Sequence, residues 1–423
     1  MGIQYSQRIK NKKRTGALFL QASCLLAVIL TNVDALAQPA DSSHANKPPK
    51  KVNMEIFGFI LTNVIYDFKQ SDPKWFDAPR PTKLPAYKNQ YAPDGNLYFG
   101  IRFTRVGLRT DVATPLGALK TLFEFDLYGS GPEVGQTAFH IRHAYGELGK
   151  FGIGQTWSPF MDVDVFPNSL ELFEPCGAAF ARNIQLRYTP IQNERGRLSI
   201  ALEKPGGTAD EGIYAEKIEL KNTKPHLNVP DLTADYHAKY KWGYVELGGL
   251  LKELKWEDLD TLGKDYSGHK AGWGFNLSSG ITIRKKDKLH LQVMYGKGIE
   301  SYIRDAPADV GVEGTSISDV EGVALPVTSF VGFYDHSWNK KFSSTIGYSF
   351  VKIKNSNGQA PNAFKMGEYA LANIMYTPFK DLIFDLGFIY TKRTNYSDGW
   401  SANGPRLQFN CRLNFSQKLF GDQ

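Results

Sequence analysis

The sequence predicts an all-β fold: a 16-stranded antiparallel transmembrane β-barrel with one loop folded into its lumen. Three observations predict it. Runs of ten or more residues alternate apolar and polar side chains, tight turns alternate with long polar loops around an even number of runs, and the composition is strand-like. The 423 residues include 27 Phe, 21 Tyr and 40 Gly, residue types of strands and turns. A mean hydropathy of −0.34 excludes a bundle of membrane helices, each of which needs about 20 apolar residues, but does not exclude a barrel. The aromatic content excludes disorder, and the absence of a Gly period excludes a collagen-like chain.

In chain order, strands are expected at 53–68, 96–113, 116–128, 137–149, 150–157, 183–190, 196–203 and 231–241. Eight more are expected at 243–254, 270–285, 287–298, 323–338, 340–354, 364–378, 381–394 and 402–420. Thr114-Pro115, Gly149-Lys150, Trp242-Gly243, Lys286-Asp287, Asn339-Lys340 and Thr377-Pro378 supply the short turns, with 69–95, 158–182, 204–230 and 299–321 the longest loops. Short and long connections in strict alternation suit periplasmic turns at one rim and extracellular loops at the other.

Each run has an apolar and a polar face. Trp273, Phe275, Leu277, Ile281 and Ile283 oppose Asn276, Ser278, Thr282 and Arg284, while Leu407, Phe409, Cys411, Leu413 and Phe415 oppose Arg406, Gln408, Asn410, Arg412 and Asn414. Leu382, Phe384, Leu386, Phe388 and Tyr390 share a third face. A β-sandwich also alternates, but its strands average about 5 to 6 residues. Run length therefore favours lipid outside and water inside. Tyr98, Tyr188, Tyr240, Trp242, Tyr295, Trp338, Tyr376 and Tyr390 stand at strand ends, where interfacial girdles form.

Residues 1–37 read as a cleaved signal peptide: a basic stretch at 8–14, an apolar stretch at 17–30 and Ala35-Leu36-Ala37 before Gln38. Its removal takes away five Lys/Arg and one Asp, lowering the formal charge from +7 to +3. A nucleic-acid partner loses its main support. Residues 38–51, polar and Pro-containing, read as a flexible periplasmic linker, and 52–423 as the barrel. Cys176 and Cys411 remain, too few for a disulfide framework. The chain ends RLNFSQKLFGDQ, similar to the aromatic terminal strand by which barrels are recognised for insertion, with three residues after Phe420.

The stretch 149–189 is the most informative. A strand passes through Gly152 and Gly154, gives way at Trp157-Ser158-Pro159 to a loop rich in acidic and aromatic residues, and resumes at Arg182. Here the chain resembles the DcaP-like porins, trimeric outer-membrane channels for anionic nutrients. The resemblance rests on Gly154-Gln155-Thr156, Ser158 and Phe160 at the loop start and on Arg182, Gln185 and Arg187-Tyr188 after it. Thr104-Arg105-Val106-Gly107-Leu108, Arg142-His143-Ala144-Tyr145, Ala372-Asn373-Ile374 and Thr377-Pro378 support it. It implies a homotrimer in the outer membrane, contacting its lipid and passing small anions, with no cofactor.

Sixteen strands enclose too wide a lumen for wall side chains to fill, so an inward loop must narrow it. Loop 158–182 is the candidate, carrying Asp162, Asp164, Glu171 and Glu174, with Gln155 and Gln185 on its flanking strands. The basic wall is expected from Arg102, Arg105, Arg109, Arg142, Arg182, Arg187, Arg406 and Arg412, countered by Glu124 and Asp126. Arginine keeps its charge and forks onto carboxylates, so such a series gives a weak multi-site path for organic anions such as dicarboxylates. Alternation disagrees on the two sides of Arg105, predicting a bulge nearby.

Other readings are a nonselective or phosphate-preferring pore, a barrel enzyme acting on lipid or polysaccharide, and a secreted carbohydrate-binding protein. Glu124 and Asp126 have the spacing a glycosidase could use, but read better as lumen carboxylates facing arginines. His140 and His143, at an odd offset, are expected on opposite faces and form no metal pair. Gly131–Thr137 imitates a phosphate loop without its Lys. About 370 residues leave no room for a plug and 22 strands.

Overall fold

A computed structural model describes residues 52–420, apart from 174, 207–216, 261–262, 285 and 317–318. The expected signal peptide and linker, 1–37 and 38–51, lie outside the described residues, as does Glu174. Sixteen antiparallel wall strands follow in sequence: β1 (Val52–Asp67), β2 (Asn96–Gly100 continued by Arg105–Thr114), β3 (Gly117–Tyr128), β4 (Thr137–Leu148), β5 (Phe151–Trp157), β6 (Arg182–Asn193), β7 (Gly196–Glu203) and β8 (Asp231–Tyr240). The other half is β9 (Gly243–Asp258), β10 (Gly268–Ile283), β11 (Asp287–Lys297), β12 (Pro326–Ser337), β13 (Phe342–Ile353), β14 (Phe364–Phe379), β15 (Leu382–Asn395) and β16 (Ser401–Phe420). Each strand pairs with its neighbour, and β16 returns to β1 with Val64 opposite Phe409 and Asp67 opposite Arg406, closing the ring.

Closure follows from the alternation. Phe275, Leu277, Leu386, Phe388, Leu407 and Phe409 are exposed on the outer wall, while Asn276, Ser278, Arg406, Gln408 and Asn410 are buried inside. Exposed Tyr240, Trp242, Trp338 and Phe342 mark one rim, as interfacial aromatics do. Among the described residues no helix is long and apolar enough to cross a membrane.

Three departures from strict alternation matter. Phe59 pairs with Arg105 and Asn63 with Gly100, so four residues of β2 face three of β1 between those pairs. That extra residue flips the phase, putting Arg102 and Arg105 both inside. Thr104 covers the break by accepting from Leu61 N at 3.1 Å and donating to Leu61 O at 3.3 Å. A second register shift, at Glu124/Phe125 opposite the Arg142–His143 step, turns Arg142 and His143 both inward. His140 and His143 therefore share the lumen face, contrary to the odd-offset expectation. Thirdly, β14 runs through Thr377-Pro378 by a shift between Tyr376 and Phe379, and the turn falls at Lys380–Asp381.

The lumen is not uniformly polar. Val327, Val331, Phe333, Val351, Ile353, Leu371 and Ile389 point inward and bury against Phe160, Cys176, Ala178, Ala179, Ile299 and Tyr302 of two long loops. Residues 323–324, expected to begin a wall strand, instead belong to Glu321–Ala324, which forms with Val310–Glu313 a hairpin of the loop before β12.

Replacing Thr104 by Val is expected to remove both bonds at the β2 break and cost about 1–3 kcal/mol. The detergent unfolding midpoint should fall for Thr104→Val and hold for Thr104→Ser; equal midpoints for all three proteins would count against the role of this hydroxyl.

Candidate functional site

The lumen is narrowed from one side by residues 158–181, the segment between β5 and β6. Gly154 starts the departure: its φ of +114° is a conformation that side chains rarely adopt, and a Cβ there would lie 2.1 Å from Ala144 O. The loop then crosses to the opposite wall and is fastened at successive strands. Asn276 donates to Phe160 O at 2.8 Å, Ala179 N to Gln292 Oε1 at 3.1 Å, and Gly177 N to Ser349 Oγ at 2.9 Å. Asn373 donates to Asn168 O at 3.1 Å and Leu170 N to Asp385 Oδ2 at 2.8 Å. Each anchor is an inward polar residue of β10, β11, β13, β14 or β15.

Asp162 and Glu171 hold this loop in place. Asp162 accepts from Ser278 Oγ at 2.6 Å and Tyr244 O–H at 2.7 Å, and burial raises its carboxyl against those bonds. Glu171 accepts from Phe173 N at 2.8 Å and Tyr369 O–H at 3.0 Å, and burial pushes it up to about 7. Asp164 keeps an exposed side chain, and its carbonyl accepts from His290 Nδ1 at 3.1 Å. Behind the loop, Glu203 accepts from Ser158 Oγ at 2.7 Å, Thr233 Oγ1 at 2.6 Å and Asn183 Nδ2 at 2.6 Å.

The facing wall is charged. Arg142 donates through Nε to Glu124 at 2.7 Å and through Nη1 to Asp126 at 2.9 Å, and His140 Nδ1 lies 2.9 Å from Asp126. Arg105 Nε stands 3.5 Å from Glu124, with its guanidinium over the Phe59 ring at 5.1 Å. Arg412 approaches the same ring at 5.4 Å, and Arg142 and Arg182 approach Trp157 at 5.6 and 4.9 Å. Arg105, Arg142 and Arg182 thus gather about Glu124 and Asp126.

The other expected arginines are placed differently. Arg102, 1% exposed, forks onto Asp77 of the 68–95 loop, and Arg406 onto Asp67 at 2.5 and 2.8 Å. Arg109 lies near the short-turn rim, paired with Glu55 at 2.8 Å. Arg187 is inward but bonds Gln185 Oε1 at 2.9 Å and Trp157 O. Gln185 and Gln155 donate to backbone carbonyls of Trp157 at 3.1 Å and Ile141 at 3.0 Å, bracing the loop's origin.

Above this wall, towards the long loops, opens a cavity of about 550 Å³. It is lined by seven cationic side chains, Arg80, Lys83, Arg142, Arg182, Lys217, Arg304 and Arg393, against two acidic ones, Asp126 and Glu219. Trp75, Phe103, Tyr128, Phe173 and Phe180 fill in between them. Arg304 is clamped by the carbonyls of Phe173 (2.7 Å) and Leu172 (2.8 Å), with the rings of Phe173 and Phe180 at 3.9 and 3.6 Å. Burial and the nearby Arg182 lower it to about 9, so it is still cationic at neutral pH. Arg80, Lys83, Lys217, Arg304 and Arg393 were not among the sequence candidates. Four of them lie on loops and Arg393 ends β15, so strand alternation gave no reason to single them out; a count of basic residues in the long loops would have found them.

A closed ring of sixteen antiparallel strands, apolar outside and narrowed by an inward loop, defines an outer-membrane barrel of the porin type. The chain belongs to the DcaP outer membrane protein family, whose sequence model matches residues 30–415. No curated protein sequence matches it. Among solved structures it is similar to the outer membrane channel DcaP of Acinetobacter baumannii, at 20% identity and TM-score 0.71 over 88% of this chain and 99% of that one. It is also similar to an anion-selective porin from Comamonas acidovorans (11% identity, TM-score 0.56, 86% and 100% covered) and to OmpT of Vibrio cholerae (11%, 0.54, 88% and 99%).

The Glu171 carboxyl generates a pH prediction. Its folded value, about 7, lies above the ordinary 4.5, so the folded protein holds an extra proton between those limits and stability falls as pH rises through that window. Glu171→Gln mimics the protonated form. The drop in unfolding midpoint from pH 5 to pH 8 should be smaller in this variant than in the parent; parallel profiles would refute it.

Proposed function

We propose that this protein is a passive outer-membrane diffusion channel for small hydrophilic solutes, preferring organic anions such as dicarboxylates. The observation that carries the reading is the sevenfold cationic lining of the narrowed cavity against two carboxylates. An anion descending through it meets Arg304, Arg393 and Lys83, then the Arg182, Arg142 and Arg105 group. At each step it exchanges one set of charged donors for another without full desolvation. Glu124 and Asp126 keep the wall from binding too tightly, since they already engage Arg142, and flux needs weak sites in series. The aromatic rings between the cations suit solutes with an apolar body and carboxylates at its ends.

The reading includes a cleaved signal peptide at residues 1–37 and assembly as a homotrimer. A trimer form is known for the similar OmpT of Vibrio cholerae, and the family resemblance points the same way. No catalytic step is assigned to any residue.

Reconstituted in a planar bilayer, the protein is expected to give unit conductance steps and an anion-biased reversal potential in a salt gradient. Arg105→Ala with Arg182→Ala should lower the anion-to-cation permeability ratio about threefold, for a local potential change of about one kT. An unchanged reversal potential would remove this wall from the selectivity path, and silence in the bilayer would remove the channel reading itself.

A further inference from the structure

The outer face of β13–β16 carries a charged feature that neither permeation nor packing uses. Midway along these strands the outer wall is apolar, with Ile346, Ile374, Leu386 and Phe388 exposed. Towards the long-loop rim the outward positions become basic: Lys352 on β13, Lys365 on β14 and Lys392 on β15. Lys352 lies directly opposite Met366, and the register shift between Phe364 and Met366 inserts Lys365 beside Thr394. A bulge of this kind re-aims a side chain, and Lys365 here lines an outer hollow with Lys392, Thr394 and Trp400.

The charge in this patch is unbalanced. Glu368 is engaged by Lys392 at 3.2 Å and by the Tyr348 hydroxyl at 2.9 Å. Asp398, in the adjoining loop, accepts from Trp400 N at 2.9 Å and Asn395 Nδ2 at 3.0 Å. The ammonium groups of Lys352 and Lys365 have no hydrogen bond or ion pair among the described residues. Lys365, with Lys392 and Thr394, borders a hollow of about 420 Å³ at the long-loop end of β14 and β15, and Lys352 stands one strand over, opposite Met366. The rim of the hollow is held in place, because Trp400 Nε1 donates to Pro85 O at 2.9 Å and Asn395 Nδ2 to Ala86 O at 2.9 Å.

We propose that this rim binds the phosphate groups of an outer-leaflet glycolipid whose acyl chains lie along the apolar band beneath. Charge and height select the occupant. Neighbouring strands are about 4.8 Å apart, so the Lys352 and Lys365 side chains can converge on one phosphate. A permeating carboxylate travels inside the wall and does not meet them. A second copy related by a two-fold axis would bring a like-charged rim against this one. The lipid adds tethering at one sector of the barrel, independent of what passes through the pore.

The test uses the purified full chain in detergent, with native mass spectrometry and titration of bis-phosphorylated lipid A, the same lipid stripped of phosphate, and inorganic phosphate. The phosphorylated lipid should bind more tightly than the stripped lipid. Lys352→Gln with Lys365→Gln should weaken that binding about thirtyfold, for about 1 kcal/mol per lysine near a charged lipid surface. Lys352→Arg with Lys365→Arg should retain it, and unit conductance should be unchanged in both variants. Equal binding of the two lipids, or undiminished binding by the Gln variant, overturns the proposal. So does competition by inorganic phosphate at the lipid's own concentration, which would assign the site to a free anion. A changed oligomeric state in the Gln variant would assign it to a contact between copies and likewise overturn it.

Discussion

Inside hydrocarbon no water completes a backbone hydrogen bond, and every other feature of this chain is arranged around that constraint. The ladder must end where it began, so β16 pairs along β1 from the short-turn rim to Asp67 and Arg406. Where the wall is interrupted, at residues 101–104 of β2, a Thr104 side chain supplies the bonds the ladder lacks. The same break changes which face each following residue presents, and so places Arg105 within reach of Glu124. Backbone closure and the charge of the lumen are thus coupled at one short segment.

A ring of sixteen strands leaves a hole that wall side chains cannot fill, and this chain fills much of it with its own loops. Loop 158–181 is stitched to five strands through inward polar residues, and its apolar side chains meet Val331, Phe333, Val351 and Leu371 from the wall. The hydrophobic effect therefore acts on both surfaces of β12–β15: lipid on the outer one, packed loops on the inner. Asp162 and Glu171 are buried as loop anchors and do not line the pore. Glu171 and the fully buried Glu300 are both held above the ordinary carboxylate range by that burial.

What remains open to solutes is lined by paired cations, such as Arg80 on Asp305 at 2.7 Å and Arg142 on Glu124 and Asp126, and by Arg304, which its neighbours hold without neutralising. Arg102 and Arg406 sit in close carboxylate pairs and support the wall. Arg304 is gripped by carbonyl oxygens and aromatic rings, which fix its position and leave its charge uncompensated. A guanidinium held in this way can meet an anion without reorganising first. The distinction between these two kinds of arginine is invisible in their spacing along the chain.

The sequence by itself determined the closed barrel, its sixteen strands and their inward and outward faces. Phe275 and Leu277 against Asn276 and Ser278 carry that information in a two-residue period, and lipid enforces it locally. It also announced the inward loop, through Gly154 and the acidic, aromatic stretch that follows, and the phase change beside Arg105. Only the tertiary structure decided which charges face solute. Asp77, which engages Arg102, lies 25 residues away in sequence; Phe173 and Leu172, which grip Arg304, lie more than 130 away. A bulge of one residue moved His143 to the lumen. Periodicity reports the face on which a side chain begins, but the partner that holds its far end comes from another strand or loop, and contacts at that separation leave no local pattern to read.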